Sequence, residues 1–353
     1  MDPGPRVLST PFDVLAGYAS SLLTAAGLDG DKPAVVARLL VTADAMGHDT
    51  HGLAQLPDYL DEIAGGRMRT TGEPEVLVDR PAVCVWDGRT LPGVWLVDRA
   101  VRLAVTRAAT HGLCAIAIRR SHHIACLAAY LLAATEQGMM AVIAGSDPSE
   151  AQVAPFGGKR PVFMPDPIAI GIPTEDNPIL VDFSTSITTA GMTARLRREK
   201  KPFPGMWALD FDGRPSDDPN VMPGGALLPI GGIDHGHKGT GLAWMVEALT
   251  QGLAGYGRAD PKHGWGGSVF VQVLDPALFA GRAEFARQTG WIAKACRATP
   301  SLDPSHPLRL PGAHALAGLR RAQSEGLTAR ADIMAALQPW AQRLGIAPLT
   351  PRA

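Results

Sequence analysis

The segment Gly47–Gly52 reads Gly-His-Asp-Thr-His-Gly and separates two apolar helical patterns. Gly47 is suited to end the first helix, because glycine adopts the backbone conformation that commonly terminates helices. We expect the Thr50 hydroxyl to cap the second helix, which would place His51 on its first turn. A helix N-terminus favours an anionic ligand and disfavours imidazolium. The segment therefore predicts a site that holds a substrate carrying a carboxylate and in which His51 supplies a proton to that substrate.

An ordinary capped turn between two helices would have the same residues. The other histidines do not decide the matter, because none forms a known metal motif. The chain has 10 histidines, and they include His48 with His51, the adjacent pair 122–123, and the pair 235 and 237. His-Glu-x-x-His and zinc-type Cys/His spacings are both absent. The sequence therefore predicts no metal site, and a site assembled from distant segments stays open.

The chain also lacks the motifs of common nucleotide sites and hydrolases. No Gly-x-Gly-x-x-Gly follows a strand, and neither a Walker-type loop nor Gly-x-Ser-x-Gly occurs. Glycine-rich turns at 157–158, 231–232 and 236–239 would instead let the backbone approach a phosphate closely. Lys238 would add positive charge there, and the competing interpretation is a solvated surface lysine.

Composition indicates a globular protein. The chain has 353 residues, of which 46% are hydrophobic and 19% charged, with a formal net charge of -1. No charge block favours nucleic acid or a membrane surface. The longest uncharged apolar run, 124–134, is too short to span a bilayer, and the N-terminus lacks a signal-peptide pattern. The four cysteines form no Cys-x-x-Cys pair and lie mostly in apolar runs. These features predict a cytoplasmic protein with buried, reduced thiols and without nucleic-acid or membrane partners.

The elements that position these residues change in type along the chain. The first quarter is predicted to be helical, with helices ending near Gly27, Gly47 and Gly65. Strands are predicted at 82–86, 113–118, 140–144, 167–172, 179–183 and 268–274. Helical patterns separate the first three strands, and such crossovers favour parallel pairing. A helix is expected from Gly239 to Gly252, and the chain becomes helical again after Asp275.

These patterns predict an α/β fold with two parts. Residues 1–75 form a helical N-terminal segment that packs with 280–353, so that both termini build one helical lobe. Residues 76–279 form a strand-rich central domain. No internal repeat or low-complexity tract complicates this division.

Seven blocks of the chain resemble one protein family and occur in its order. Ala43–Gly52 resembles Ala-Asp-x-x-Gly-x-x-Ser-His-Gly, and Ser121–Ala125 resembles Ser-Asn-His-Phe-Gly. The remaining blocks are 153–158, 182–186, 207–213 with 218–219, 228–229, and 237–242. The family is the type-2 malate/L-lactate dehydrogenases, which include ureidoglycolate and sulfolactate dehydrogenases and the reductase of piperideine- and pyrroline-2-carboxylate. Since the blocks run from about 10 to 330, the resemblance is far more specific than any single motif.

The resemblance implies an NAD(P)-dependent dehydrogenase or reductase that is usually a homodimer. Its nucleotide-binding fold, here the central domain, would differ from the Rossmann fold, which agrees with the missing glycine fingerprint. The reaction would move a hydride between nicotinamide and C2 of a 2-oxo or 2-hydroxy acid, a related ketone or a cyclic imine. Because the resulting alkoxide needs a proton near neutral pH, a histidine suits the proton donor.

The resemblance also assigns roles to individual residues. His51 resembles the proton donor, Thr50 its hydroxyl partner, and Asp182 the carboxylate that orients it. His123 resembles a second active-site histidine. The cofactor-binding positions would be His123, Ile124, Ala125, Ser184, Thr185, Ser186 and Lys238. The substrate-binding positions would be His51, Gln55, His123 and Glu150.

Three departures bear on the substrate and cofactor. Gln55 stands where the family pattern has an Arg, Met164–Pro167 replaces Gly-Thr-Asn-Pro, and Met192 replaces a Lys. Loss of a charged hydrogen bond to a carboxylate removes roughly 1.5–3 kcal/mol. Malate or lactate is therefore disfavoured as the substrate, and the choice between NAD and NADP stays open. A divergent member that has lost catalysis and kept a binding or structural role is the alternative.

Overall fold

The computed structural model describes residues 9–261 and 264–349, which alternate between helices and strands. The helices are α1 Phe12–Ala25, α2 Lys32–Ala45, α3 Leu56–Ala64, α4 Gly93–His111, α5 Ala128–Thr135, α6 Ala190–Glu199, α7 Gly232–His235, α8 His237–Glu247, α9 Arg282–Ala298, α10 Ala313–Glu325 and α11 Ala331–Leu344. The strands are β1 Ser9–Thr10, β2 Glu75–Arg80, β3 Val83–Asp87, β4 Leu113–Ser121, β5 Met140–Ser146, β6 Pro167–Ile172, β7 Ile179–Ser184, β8 Ala208–Leu209, β9 Pro215–Ser216, β10 Ala226–Leu227, β11 Gly267–Leu274 and β12 Leu327–Thr328.

A mixed seven-stranded sheet lies at the centre, in the order β2-β3-β4-β11-β5-β6-β7. β3 and β4 are parallel and joined through α4, as the crossover pattern predicted. β5 does not pair with β4. β11 lies between them and is antiparallel to both, with Val271 opposite Ile116 on one side and Ile143 on the other. The second crossover therefore spans an inserted strand.

The central strands are apolar on both faces because layers cover both sides of the sheet. Ile116 and Ile118 of β4 are fully buried, as are Val271 and Val273 of β11. α4 packs along β4 and β11, and α5 packs beside it against β5 and β6, so the two helices cover one face. On the opposite face α8 packs against β5. Continuous apolar runs are typical of strands buried on both faces. This packing fixes the ends of β4, β5 and β7, where the polar residues described below lie.

Helices from both ends of the chain contact one another. β1 pairs with β12, α11 contacts α1 and α3, and α10 contacts α2. A side chain at Gly318 would come within 2.6 Å of the Ala45 carbonyl, so only glycine permits this approach of α10 to α2. The division into 1–75 with 280–353 and 76–279 stays a prediction.

The strand-rich segment after β7 forms a second, small sheet in the order β10-β8-β9. The helix predicted from Gly239 to Gly252 is present as α8, which continues through the π-helical turn Ala248–Gly252. None of the described helices combines the length and apolar composition that crossing a membrane requires. All four cysteines are free thiols, and Cys84, Cys114 and Cys126 are buried.

Candidate active site

Polar ends of several strands and loops meet around a cavity of about 500 Å³. The loop after α2 contributes His51, the segment after β4 contributes His123, and β7 contributes Asp182. The wall also includes Trp265, two residues before β11. Residues that lie between positions 48 and 269 of the chain therefore line one cavity, and they include the predicted catalytic residues His51, His123 and Asp182.

His51 lies in a loop and not on a helical turn, so its predicted placement is wrong. The 3-10 turn begins at Leu53, and Thr50 does not cap it. The Asp44 carboxylate instead accepts the Leu53 N–H at 3.0 Å. A Cβ at Gly52 would stand 1.9 Å from the Asp44 carboxylate, so glycine is required for this approach. A carboxylate nine positions upstream thus takes the role expected for the threonine hydroxyl.

Thr50 contacts the histidine ring directly. Its hydroxyl lies 2.8 Å from Nδ1 of His51. This hydrogen bond fixes the ring and leaves Nε2 as the nitrogen that can face a ligand. The predicted partnership of Thr50 and His51 therefore has a geometric basis in side-chain contact.

Burial lowers the pKa of His51 below its ordinary value of 6.5. The negative charge of Asp182 opposes this shift, whereas His48 adds to it. Because the net shift of the pKa is downward, the His51 imidazole is neutral at pH 7, although the charge of Asp182 keeps the protonated form accessible. A neutral imidazole that can gain a proton is suited to act as a base in one direction of a reaction and as an acid in the other.

His123 differs from His51 in its electrostatics. Burial, together with His51 and His122, lowers the pKa of His123 to about 3. The Tyr59 hydroxyl lies 2.9 Å from its Nδ1, and its ring is stacked with that of His51 at 6.0 Å between centroids. A histidine with so low a pKa stays neutral through the physiological range. It is therefore suited to position a ligand by hydrogen bonding rather than to supply a proton.

Asp182 hydrogen-bonds to the first residue of α5 and to the segment before it. Its Oδ2 accepts the Ala128 N–H at 2.8 Å and the Cys126 thiol at 3.8 Å. Burial raises the pKa of Asp182, and His48 is the largest influence that lowers it. Among the described contacts, the His51 ring bonds to Thr50 and not to Asp182. The carboxylate therefore acts on His51 through its charge.

The remaining predicted residues divide into two sets. Ile124, Ala125, Ser184 and Glu150 line the cavity. Gln55 lines a smaller neighbouring cavity, which it shares with His122, His123 and Trp265. The Gln55 amide donates to the Thr50 carbonyl at 2.8 Å and so supports the loop that carries His51.

The other predicted cofactor residues lie outside the lining of this cavity. Thr185 is fully buried, and its hydroxyl donates to the Pro165 carbonyl at 3.1 Å. The Ser186 hydroxyl donates to the Thr188 carbonyl at 2.6 Å. Lys238 is exposed near the start of α8. The two hydroxyls therefore stabilise the turn after β7 in the described structure.

Sequence reasoning missed several residues that line these cavities. Tyr59 and Trp265 surround His123, and His48 and Cys126 lie beside Asp182. His48 could have been identified from the sequence, because it lies three residues before His51 in the same segment. Tyr59 and Cys126 looked like ordinary members of apolar helical patterns, and nothing local distinguished them.

Comparison with known proteins identifies the family. The family model for malate/L-lactate dehydrogenase matches residues 10–338. The chain belongs to this family. It is an enzyme of the malate/L-lactate dehydrogenase type, and the resemblance inferred from the seven blocks is confirmed.

Individual relatives match over nearly the whole chain. The malate/(S)-sulfolactate dehydrogenase of Methanothermus fervidus is 28% identical over 332 residues, covering 92% of this chain and 95% of the relative. The malate dehydrogenase structure from Pyrococcus horikoshii superposes with a TM-score of 0.86 at 26% identity, covering 98% of both chains. The delta1-piperideine-2-carboxylate reductase structure from Pseudomonas syringae gives 0.84 at 27% identity, covering 94% of this chain and 99% of that one. These likenesses confirm an α/β fold with a mixed sheet and many helices.

Proposed function

We propose that the protein transfers a hydride between a nicotinamide cofactor and C2 of a 2-oxo or 2-hydroxy acid, a related ketone or a cyclic imine. The observation that carries this proposal is the meeting of His51, His123 and Asp182 in one cavity of about 500 Å³. Related chains named as hydroxy-acid dehydrogenases and as an imine reductase support the reaction class.

The cavity has features that suit a nicotinamide ring. Gly145, Gly191 and Gly267 lie in its wall, where the backbone can approach a flat ligand closely. At Gly191 an added Cβ would stand 3.4 Å from the Thr50 side chain, in van der Waals contact with the loop that carries His51. When bound, the cofactor would supply or accept the hydride. We propose that NAD or NADP places its nicotinamide here, with the remainder directed towards Ser184–Ser186 and Lys238.

His51 would deliver the proton that accompanies hydride transfer in the direction of reduction. Its Nδ1 is held by Thr50, so Nε2 would donate to the oxygen or nitrogen on C2 of the substrate. Asp182 would favour the protonated ring through its charge. His123 would hydrogen-bond the substrate while Tyr59 fixes its ring. In the direction of oxidation, neutral His51 would accept the same proton.

The substrate is proposed to be an unusual ketone or imine acid. Gln55 replaces the arginine of the family pattern, and its amide already donates to the Thr50 carbonyl. A substrate carboxylate would therefore lack the charged partner that an arginine supplies at this position. We further propose a cytoplasmic homodimer, with a small-molecule substrate and without nucleic-acid or membrane partners.

A fluorescence titration with NADH and NADPH tests cofactor binding first. The bound nicotinamide is then offered 2-oxo acids, ketones and cyclic imines, and its oxidation is followed by absorbance. Saturable binding with turnover of one substrate class supports the proposal. Binding without turnover on any of the three classes would favour a non-catalytic family member, and no binding of either nucleotide would contradict the proposal itself.

A further inference from the structure

We propose that His48, Cys126 and Asp182 bind a divalent transition-metal ion of the zinc type inside the cavity. The three residues come from separate elements: the loop after α2, the segment before α5, and β7. Their ligand atoms all lie within 4.8 Å of one another. Three different donor groups thus converge beside His51, although no local motif links them.

The spacing suits a small tetrahedral site. Zinc bonds of about 2.0–2.3 Å place neighbouring ligand atoms about 3.4–3.6 Å apart. Sγ of Cys126 lies 3.8 Å from Oδ2 of Asp182, so this pair is already close to that separation. Since the other separations do not exceed 4.8 Å, shifts of roughly 1 Å complete the site. Cys126 is a buried free thiol.

The three ligand atoms favour Zn²⁺ or Co²⁺ over Mg²⁺ and Ca²⁺. One imidazole nitrogen, one thiolate sulfur and one carboxylate oxygen are ligands of Zn²⁺ and Co²⁺, whereas Mg²⁺ and Ca²⁺ require oxygen ligands. Three protein ligands leave one tetrahedral position open, as in catalytic zinc sites. Because all three residues line the cavity, that position is available to an oxygen of a bound small molecule.

The charge of the cavity gives an independent argument. Asp147, Glu150 and Asp182 line it, and the part of the lining that the structure describes contains no Lys or Arg. An anionic substrate would therefore meet negative charge, while Gln55 supplies no compensating cation. A divalent ion would provide the missing positive charge, and in the metal-bound protein it would offset the charge effect of Asp182 on His51 described above. This role rests on the proposed function, whereas metal binding itself does not depend on it.

Titration of the metal-stripped protein with Co²⁺ alone tests the site, because a cobalt–thiolate bond gives a near-ultraviolet charge-transfer band. We expect one Co²⁺ per chain with this band, and displacement by Zn²⁺. Cys126→Ser should remove the band, and His48→Ala should weaken binding by at least about tenfold, since even loss of an outer-shell partner costs about 10- to 100-fold. Cys296→Ser is the matched control, because that thiol lies on α9 outside the cluster, and it should bind as the wild type does.

The outcomes separate the proposals. Absence of the band in the wild type, or a band that survives in Cys126→Ser, would overturn the metal site. Circular dichroism and melting temperature establish that each variant is folded, and His48→Ala tests the site even if Cys126→Ser does not fold. NADH and NADPH titrations on the same wild-type preparation report separately on the dehydrogenase assignment. Nucleotide binding without cobalt binding would therefore refute the metal site and leave the proposed function standing.

Discussion

Asp166 provides a prediction whose magnitude follows from its surroundings. The residue is 0% exposed, and neither carboxylate oxygen has a hydrogen-bond partner among the described residues. Burial, reinforced by the nearby charge of Glu247 and only partly opposed by Ser146 and Arg258, raises the pKa of Asp166 from 3.8 to about 8. Because Asn occupies this position in the family pattern, we predict that Asp166→Asn stabilises the protein at neutral pH. The backbone favours the change, since φ is +43° and Asn tolerates this region best among residues with a side chain.

The size and sign of the effect follow from proton linkage. The folded protein keeps the Asp166 proton up to about pH 8, whereas the unfolded chain releases it near 3.8. The stability that this group contributes is therefore complete below the unfolded value and is lost as pH rises towards the folded value. One pKa unit corresponds to about 1.36 kcal/mol, so the loss between pH 4 and pH 7 approaches about 4 kcal/mol. Asn has the same shape without the charge, and the variant should escape this loss.

Urea unfolding at pH 5, 6, 7 and 8, followed by tryptophan fluorescence, measures the difference. The gain in the free energy of unfolding from Asp166→Asn should grow by about 1.36 kcal/mol per pH unit up to pH 7. Asp87→Asn is the control of opposite sign. Burial raises the pKa of Asp87, but hydrogen bonds from Arg120, the Arg89 N–H and Arg119 outweigh it and hold the pKa below its ordinary value. That variant should be less stable at pH 7, and equal pH slopes for wild type and Asp166→Asn would refute the reasoning.

Three further predictions concern the cofactor, the pH dependence and the assembly. Lys238→Ala should raise the Kd for the preferred nicotinamide nucleotide about fivefold, equivalent to ~1 kcal/mol, without lowering the melting temperature. An unchanged Kd would remove Lys238 from the nucleotide site. The kcat/KM for reduction should increase as pH falls through a pKa below 6.5, because burial lowers the pKa of His51, whereas oxidation should be flat above pH 7. A reduction rate that is highest above pH 8 would contradict this. Sedimentation should show a homodimer, and a folded, active monomer would disprove it.

The sheet shows how far local pattern predicts structure. Apolar runs identified β3, β4, β5, β6, β7 and β11, since strands buried on both faces have near-continuous hydrophobic sequences. The pattern also predicted the parallel pair β3 and β4. It did not place β11 between β4 and β5, because strand order depends on contacts between residues more than 100 positions apart.

The candidate site shows the same limit. The family resemblance assigned roles to His51, His123 and Asp182, and the structure brings all three together in one cavity. The helix cap expected from Thr50 was wrong, because the Asp44 carboxylate reaches the free N–H and Gly52 leaves it room. Whether the Thr50 hydroxyl or the Asp44 carboxylate accepts this N–H depends on how α2 packs against the turn that begins at Leu53. The resemblance therefore predicted which residues meet in the cavity better than it predicted their hydrogen bonds.

The most direct test of the proposed mechanism compares kcat for His51→Ala and His123→Ala on a confirmed substrate. Loss of a general acid removes roughly two to four decades of rate, so His51→Ala should lower kcat by about that factor while the nicotinamide Kd stays unchanged. His123→Ala should raise KM at least as much as it lowers kcat, because its role is to position the substrate. If His51→Ala kept near-wild-type kcat while His123→Ala abolished turnover, His51 would not be the proton donor and the two roles would have to be exchanged.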